Sequence, residues 1–171
     1  MSPQELLSAL VAEIRDDPAG MGYAAFVPDA PGRIRELLND PARASMSATR
    51  FVTALTVLAE VGPAGASALR SIERFANAEP AEDDPPEVAG LRDSAYFAMG
   101  PVRTTGVDIG HPTTQMLLDA LVAIAVITQE QADGLKGMAV QPCSRFALLT
   151  GRINAHVDEE TVRAAIALIG G

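Results

Sequence analysis

Apolar residues recur at intervals of three and four positions along most of the chain, which is the spacing of one face of an α-helix. The first such segment follows Ser2, whose hydroxyl can cap a helix, and has Glu5 three residues later, as in a capping box. The Asp17-Pro18 pair predicts the end of this helix, because the residue before a proline disfavours the helical conformation. The same spacing, bounded by caps, glycines and prolines, predicts helices over residues 31–39, 48–61, 64–78, 87–99, 114–126, 129–138, 145–149 and 159–169.

Polar side chains mark the starts of several of these helices. Thr128 precedes Gln131 by three positions, which predicts a second capping box. The two helices that flank Thr128 are typical of an αα-hairpin. Further N-caps are predicted at Ser47, Thr113, Ser144 and Asp158.

Three segments depart from the helical pattern. Residues 101–112 combine β-branched residues with turn formers and predict a loop that holds at most a short strand. Residues 79–87, EPAEDDPPE, predict an exposed acidic linker or loop, and residues 151–157 are compatible with an extended chain. We therefore expect an all-α or nearly all-α fold, a compact bundle of about eight short helices with at most a small strand pair. It should form a single domain over residues 1–171.

The composition favours a packed aliphatic core. Hydrophobic residues make up 48% of the 171 residues, which excludes disorder of the whole chain, but only 4% are aromatic and there is no Trp. The most apolar stretch, residues 116–128, contains Asp119 and is too short to cross a membrane. The N-terminus lacks the basic region of a secretory signal. We expect a protein that is soluble in the cell that makes it.

The charge balance argues against a nucleic-acid partner. The chain carries 13 basic and 22 acidic residues, a net charge of −9, whereas binding to phosphates needs clustered Lys and Arg. Five of the acids fall within residues 79–87. The helix pair over residues 114–138 has the outline of a helix-turn-helix, but its second helix carries two acids and a single Lys. We expect no sequence-specific contact with nucleic acid.

Each candidate catalytic or metal-binding residue has a simpler structural interpretation. His111 and His156 are the two histidines, and they have no ligand spacing. Cys143 lies at a helix start, where a thiol can be activated, but its neighbour Ser144 is typical of an N-cap. The Glu159-Glu160 pair suits the first turn of a helix. The sequence therefore predicts no catalytic residue, cofactor or metal site, and the single cysteine excludes an intramolecular disulfide.

The few aromatic residues are the candidates for a partner surface. Tyr23 and Phe26 lie in a loop rich in Gly and Pro, and Tyr96 and Phe97 are adjacent. Such side chains either fill the core or act as anchors of an interface, where aromatic residues are enriched. We take Tyr23 and Phe26 as the candidate partner-binding residues.

Three pieces of the sequence together resemble one group of proteins. The pieces are IRDDPAGMGYAAFVPD followed by ELLND, then TTGVDIGHPTTQMLLDAL, then Ser144-Arg145 with a terminal V-D-x-E helix. They resemble uncharacterised proteins encoded in the structural-gene regions of tailed bacteriophages and prophages. Members open with a helix, a D-P-x-G-x-G-Y turn and an LLN helix, and they end with S-R-A-E, a Gly-rich turn and a short helix.

The match to this group is partial. Residues 41–100 are not covered, and Phe146-Ala147 replaces the A-E of the last motif. The matching residues are Asp17, Pro18, Gly20, Gly22 and Tyr23 in the first motif, Leu37, Leu38 and Asn39 in the second, and Ser144 and Arg145 in the third.

The resemblance implies a setting and no catalytic residue. We expect a non-enzymatic structural protein of the virion, made in the bacterial cytoplasm and located at the head–tail junction, the tail or the capsid surface. Its expected partners are other phage structural proteins, in a homo-oligomer or lattice, bound through aliphatic helix faces and the loop of Tyr23 and Phe26. Two alternatives stay open: a cytosolic assembly factor absent from the finished particle, and a small phage regulator or enzyme.

Overall fold

The chain folds almost entirely into helices. The structure, a computed structural model, describes residues 1–80 and 84–170. Across these ranges 62% of the residues are helical, in nine α-helices and one 3-10 turn, and the strands form two short antiparallel pairs. The expected all-α class is confirmed, with a second small strand pair beyond the one expected. Over the same ranges, no helix has both the length and the apolarity that crossing a bilayer requires.

The elements follow one another in a simple order. They are α1 (Pro3–Asp16), the 3-10 turn (Tyr23–Phe26), α2 (Pro31–Asn39), β1 (Ala44–Ser47), β2 (Phe51–Val52), α3 (Ala54–Glu60), α4 (Pro63–Ala76), α5 (Pro86–Arg103), β3 (Val107–Asp108), α6 (Pro112–Ala123), α7 (Gln129–Gly137), β4 (Val140–Cys143), α8 (Arg145–Thr150) and α9 (Glu159–Ile169).

These elements form two compact units, a division that the apolar pattern did not reveal. The first unit joins the chain up to Met46 with the chain from Gln141 onward, and the second unit is the continuous stretch Ser47–Val140. Strands β1 and β4 are hydrogen-bonded neighbours, so the chain leaves and re-enters the first unit at adjacent points. Each unit has its own apolar core. The expected single domain stays a prediction.

The first unit packs α1, α2, α8 and α9 around an aliphatic core. Both residues of the predicted Ser2 capping box bond as expected, because the Glu5 N–H donates to Ser2 Oγ at 3.3 Å and the Ser2 N–H donates to Glu5 Oε2 at 2.6 Å. Ser144 and Asp158 cap α8 and α9, also as predicted. The fully buried large side chains of the first unit are Leu10, Tyr23, Ile34, Leu38, Val162 and Cys143.

The second unit packs α3 to α7 around a separate core. Thr128 and Gln131 form the predicted capping box at the start of α7. Helix α5 is four residues longer than predicted at its C-terminal end, and it continues through Pro101, which has no N–H for the helical hydrogen bond. The buried side chains include Val52, Val57, Ile72, Leu118, Leu121 and Leu135.

The region after β1 is not helical, so the predicted N-cap at Ser47 is wrong. Ser47 ends β1, and Phe51 lies in β2, where it pairs with Asp108 of β3. Helix α3 begins only after Thr53, whose hydroxyl accepts the N–H of Thr56 at 3.3 Å. The strand partner lies more than fifty positions away, so nothing local in the sequence indicates it.

The loop before α6 is fixed by a close backbone approach. A Cβ on Gly110 would lie 1.9 Å from the carbonyl oxygen of Ala48, so no other residue fits there without movement of the backbone. The predicted N-cap at Thr113 is wrong: His111 Nδ1 accepts the N–H of Thr113 at 3.2 Å, and Pro112 is the first helical residue. This cap leaves His111 with a structural role.

The acidic segment 79–87 was predicted to be a linker or loop, and residues 81–83 of it lie outside the described residues. Asp84 Oδ2 accepts from Arg92 Nη2 at 2.7 Å, and Pro86 begins α5. Residues 151–157, expected to be extended, form turns and irregular chain.

Candidate protein-interaction surface

Tyr23 is a core residue of the first unit. Its side chain is 0% exposed, and its hydroxyl donates to Glu13 Oε1 at 3.4 Å. Burial and the adjacent Glu13 carboxylate raise the pKa of Tyr23 well above its ordinary value of 10. Because an inaccessible side chain cannot anchor a partner, the expected role of Tyr23 is corrected. Phe26 packs half-buried against the same core, and its partner role stays a prediction.

A buried ion pair lies beside Tyr23 and joins α1 to α8. Arg145 donates to both oxygens of the Glu13 carboxylate, from Nε at 2.9 Å and from Nη2 at 2.7 Å. Glu13 is only 3% exposed, so this two-point contact compensates a charge that water does not reach. The hydrogen bonds to Glu13 raise the pKa of the Arg145 guanidinium. The arrangement is structural, since both oxygens of the carboxylate are engaged.

The turn after α1 explains the D-P-x-G-x-G-Y motif. The carboxylate of Asp17 accepts the N–H of Met21 at 2.6 Å and the N–H of Gly22 at 2.7 Å. Gly22 has a φ of +78°, which favours glycine. These contacts hold the chain so that Tyr23 enters the core. The residues of this motif therefore stabilise the first unit.

Cys143 and Ser144 have the structural roles that the sequence indicated. Burial raises the pKa of the Cys143 thiol, which disfavours the reactive thiolate. Ser144 Oγ accepts the N–H of Ala147 at 3.0 Å. Among the described residues, no group of three or more His, Cys, Asp or Glu side chains could hold a metal ion.

An open recess of about 760 Å³ lies in the first unit. Leu6 and Phe146 contribute apolar surface to it, and residues 152–156 bring Arg152, Asn154 and His156. These three polar side chains are exposed, so they are not a set of groups held in place for a ligand.

The second unit has an apolar groove between α5 and α6. One end of it, about 380 Å³, lies between residues 87–94 of α5 and residues 120–124 of α6. The other end, about 390 Å³, lies between residues 91–98 of α5 and residues 113–117 of α6. Both ends share Leu91 and Ser94, so they form one surface, and the pairing shows that the two helices run antiparallel. We call this surface the α5–α6 groove; its lining residues are Glu87, Val88, Gly90, Leu91, Ser94, Ala98, Thr113, Thr114, Met116, Leu117, Ala120, Ala123 and Ile124.

The groove is apolar because α6 is apolar on more than one side. Leu118 and Leu121 enter the core, whereas Met116, Ala123 and Ile124 on another side are exposed. Met116 is 71% exposed. A helix with apolar residues all round is usually covered on all sides, and this side of α6 is left uncovered in the chain as described.

An exposed aromatic residue lies beside this surface on α5. Phe97 is 76% exposed and lies three positions after Ser94, on the adjacent turn of the helix. Tyr96 contacts it edge-to-face, with 5.8 Å between the ring centroids. These two side chains are on the surface, which the sequence did not establish.

A second exposed apolar cluster lies on and before α3. Phe51 of β2 is 66% exposed, and Leu55 and Leu58, three positions apart on α3, are also exposed. The residues of the α5–α6 groove, in contrast, line recesses between two helices. We therefore take the groove as the candidate site.

The charges near the groove are mostly acidic. The stretch from residue 79 to residue 140 contains three basic residues, and all three are engaged in ion pairs. Arg92 pairs with Asp84, while Arg103 and Lys136 pair with Glu73 and Asp119. Glu87, which lines one end of the groove, is exposed.

One signal in the sequence pointed to the groove. Residues 116–128 are the most apolar stretch of the chain, and they are too short to span a membrane. Such a stretch needs cover on several sides, which a single row of neighbouring helices does not provide.

Comparison of the chain with protein-family models, with curated proteins and with solved structures found no match.

Proposed function

We propose that this protein is a non-enzymatic structural protein of a tailed bacteriophage particle and that it binds a neighbouring subunit through the α5–α6 groove. The head–tail junction, the tail and the capsid surface are the proposed locations. The observation that carries the proposal is the groove itself, a recessed apolar surface flanked by exposed Met116 and Phe97. Apolar surface of this kind is stabilised when another protein covers it.

The groove supports binding to a protein because of its chemistry. Its side chains are mainly aliphatic, and removal of such surface from water favours association, although only the part that exceeds the cost of association appears as affinity. Phe97, exposed one turn after Ser94, is an aromatic side chain of the type enriched at interfaces. The proposal therefore keeps the expected binding through aliphatic helix faces. It assigns the contact with the partner to the α5–α6 groove, where Tyr23 was the earlier candidate.

The phage setting is supported by the resemblance alone. Asp17, Gly22, Tyr23 and Arg145, which match the motifs of that group, interact in the first unit. A shared turn is consistent with a shared first unit. The groove lies in the second unit: its α5 side falls within residues 41–100, which the resemblance does not cover, and most of its α6 side falls within the matching piece TTGVDIGHPTTQMLLDAL.

The presence of the protein in finished particles tests this proposal. Particles of the phage that encodes the chain are purified, and the protein is measured by quantitative mass spectrometry. We expect a fixed number of copies per particle. Absence from particles, with abundance in infected cells, would contradict the structural role and favour the cytosolic assembly factor or the regulator.

A matched pair of variants tests the role of the groove. Ser94→Arg places a long charged side chain in the middle of the groove, and Ser67→Arg makes the same change on the exposed surface of α4. We expect Ser94→Arg to reduce incorporation into particles roughly tenfold, which corresponds to about 1.4 kcal/mol of binding. Ser67→Arg should be incorporated normally. Normal incorporation of folded Ser94→Arg would overturn the role of the groove.

A further inference from the structure

The core of the second unit encloses an apolar cavity of about 70 Å³. Its walls come from α3, α4, α5, α6 and α7 and from the β2–β3 pair. Val52, Val57, Leu118 and Leu121 are among the wall residues, and each of them is buried. The cavity therefore lies in the interior of this unit, beneath the recesses on its surface.

The composition of this core accounts for the cavity. In the part of the chain that the structure describes, none of the buried residues of this core is aromatic. Phe75 packs at the edge of the core, while Phe51 and Phe97 are exposed. Protein interiors normally contain few voids larger than a water molecule, because their side chains interdigitate closely. Here the aliphatic side chains of several elements meet without a large side chain to fill the space between them.

The lining of the cavity disfavours water. Among the described residues that form the walls, Thr114 alone has a side-chain oxygen or nitrogen atom. An ordered interior water typically makes about three hydrogen bonds, which one hydroxyl group does not supply. The backbone of the walls lies mainly in helices and in the β2–β3 pair, where its polar groups bond to one another. The chemistry of the walls therefore selects an uncharged, apolar guest.

The volume of the cavity sets the size of that guest. A protein cavity of about 150 Å³ holds benzene or xenon, and the cavity in the second unit is about half as large. A water molecule occupies about 30 Å³ of the liquid, so the space corresponds to about two groups of that size. A xenon atom or a hydrocarbon of two or three carbon atoms fits, whereas an aromatic ring requires movement of the walls.

Three side chains separate the cavity from the surface. Ala98, Thr114 and Leu117 line the cavity and also line the open recess at one end of the α5–α6 groove. All three are half-buried, so one side of each faces solvent. Ala98 is small, and rotation of Thr114 or Leu117 about its side-chain bonds is sufficient to change the width of this path. A guest thus has a short route from the surface into the core.

From the lining, the volume and the path we infer that the second unit contains an internal binding site for a small apolar molecule. The guest has about two or three heavy atoms, or is a single large atom, and it enters between α5 and α6. It gains the dispersion contacts that the wall atoms lack across the cavity. This site does not depend on the proposed function, because it concerns the interior of the unit and not the partner that covers its surface.

Xenon is the probe that tests the site. The methyl groups of Ile, Leu and Val are labelled with ¹³C in the full chain, and their NMR shifts are measured at increasing xenon pressure. We expect saturable shifts for wall residues such as Ile109, Leu118 and Leu121. Ile34 and Leu38, which are buried in the core of the first unit, should not shift and provide the internal control.

A matched pair of variants tests whether xenon occupies this cavity. Val102→Ile adds one methyl group to a buried wall residue, and Val140→Ile makes the same change at an exposed position. We expect Val102→Ile to weaken xenon binding roughly tenfold and Val140→Ile to leave it unchanged. Ala98→Val is a second filling variant at a half-buried part of the wall, and it should also weaken binding. Circular dichroism establishes which variants are folded.

Three results would overturn the inference. The first is the absence of saturable shifts at the methyl groups of the cavity walls, and the second is shifts of equal size in the two cores. The third is xenon binding by a folded filling variant that equals binding by Val140→Ile. None of these results affects the proposed function, which is tested by the incorporation of the protein into particles.

Discussion

The ion pair between Glu13 and Arg145 could not be predicted from local patterns in the sequence. They are 132 positions apart, and neither belongs to a motif that predicts a pair. Ser144 was interpretable from its surroundings as a cap, because caps have local signatures, whereas Tyr23 was taken as a partner-binding candidate and is a core residue. The choice between core and interface for Tyr23 needed the three-dimensional contact with Glu13.

Removal of Arg145 should strongly destabilise the protein. Arg145→Met leaves the Glu13 carboxylate buried without its partner, at a cost of about 3–5 kcal/mol in the free energy of unfolding. Urea denaturation followed by circular dichroism measures the change. The control is Arg15→Met, which removes an exposed ion pair with Asp16 and should have little effect. Equal losses in the two variants would contradict the structural role of the buried pair.

Gly110 should not tolerate a side chain. Gly110→Ala places a Cβ against the carbonyl oxygen of Ala48 and should destabilise the protein by roughly 3 kcal/mol or more, since backbone must move. Gly90→Ala, at an exposed position of α5 with open space around it, should stabilise the helix by about 0.5–1 kcal/mol. Thermal unfolding of both variants checks the two signs, and a stable Gly110→Ala would disprove the close approach.

At the scale of elements, the helices were predictable and the strands were not. Helices α1, α2, α7 and α9 follow from apolar spacing and caps within a few residues. The two-residue strands β2 and β3 exist only through their pairing with each other. Short strands have too few residues to show a period of two, so their prediction requires knowledge of the partner.

The cap of α9 should make stability depend on pH. The N–H of Thr161 donates to Asp158 Oδ1 at 2.7 Å, and this hydrogen bond lowers the pKa of Asp158 below its ordinary value of 3.8. A lowered pKa in the folded state means that the stabilisation is complete above 3.8 and is lost as the pH falls through the folded-state pKa. Asp158→Asn keeps a neutral cap without this charge.

The expected result is a difference in stability between the wild type and Asp158→Asn that is present at neutral pH and shrinks in acid. Urea midpoints across the acid range measure the difference. Glu160→Gln, an exposed neighbour in the same first turn, controls for the general effect of one charge fewer. A difference that is constant with pH would show that the ionised cap contributes nothing.

At the scale of the molecule, the chain has one unit inserted into another. Each unit has its own core, and the insertion begins and ends at the paired strands β1 and β4. Helical spacing alone does not show which helices share a core, so the two cores could not be predicted from the sequence. The motifs of the phage resemblance that flank the insertion lie in the first unit, and the candidate groove lies in the second.

Excision of the second unit should leave the first unit folded. Residues 48–139 are replaced by Asn-Gly, which suits a tight turn between the antiparallel strands β1 and β4. The chain has two tyrosines, and only Tyr23 remains after excision, so its near-ultraviolet circular dichroism reports on the first core. We expect a helical spectrum with a retained tyrosine signal and cooperative unfolding. An unfolded product would instead support one cooperative domain over residues 1–171.

The most direct test of the account is a map of what lies in the α5–α6 groove inside particles. A photoreactive amino acid is introduced at Ser94 in the groove and, in a second variant, at Ser67 on α4. Particles are irradiated, and the cross-linked products are identified by mass spectrometry. We expect a cross-link from position 94 to another structural protein, and no equivalent product from position 67. Particles that contain both variants but give no cross-link from position 94, or give the same products from both positions, would contradict it.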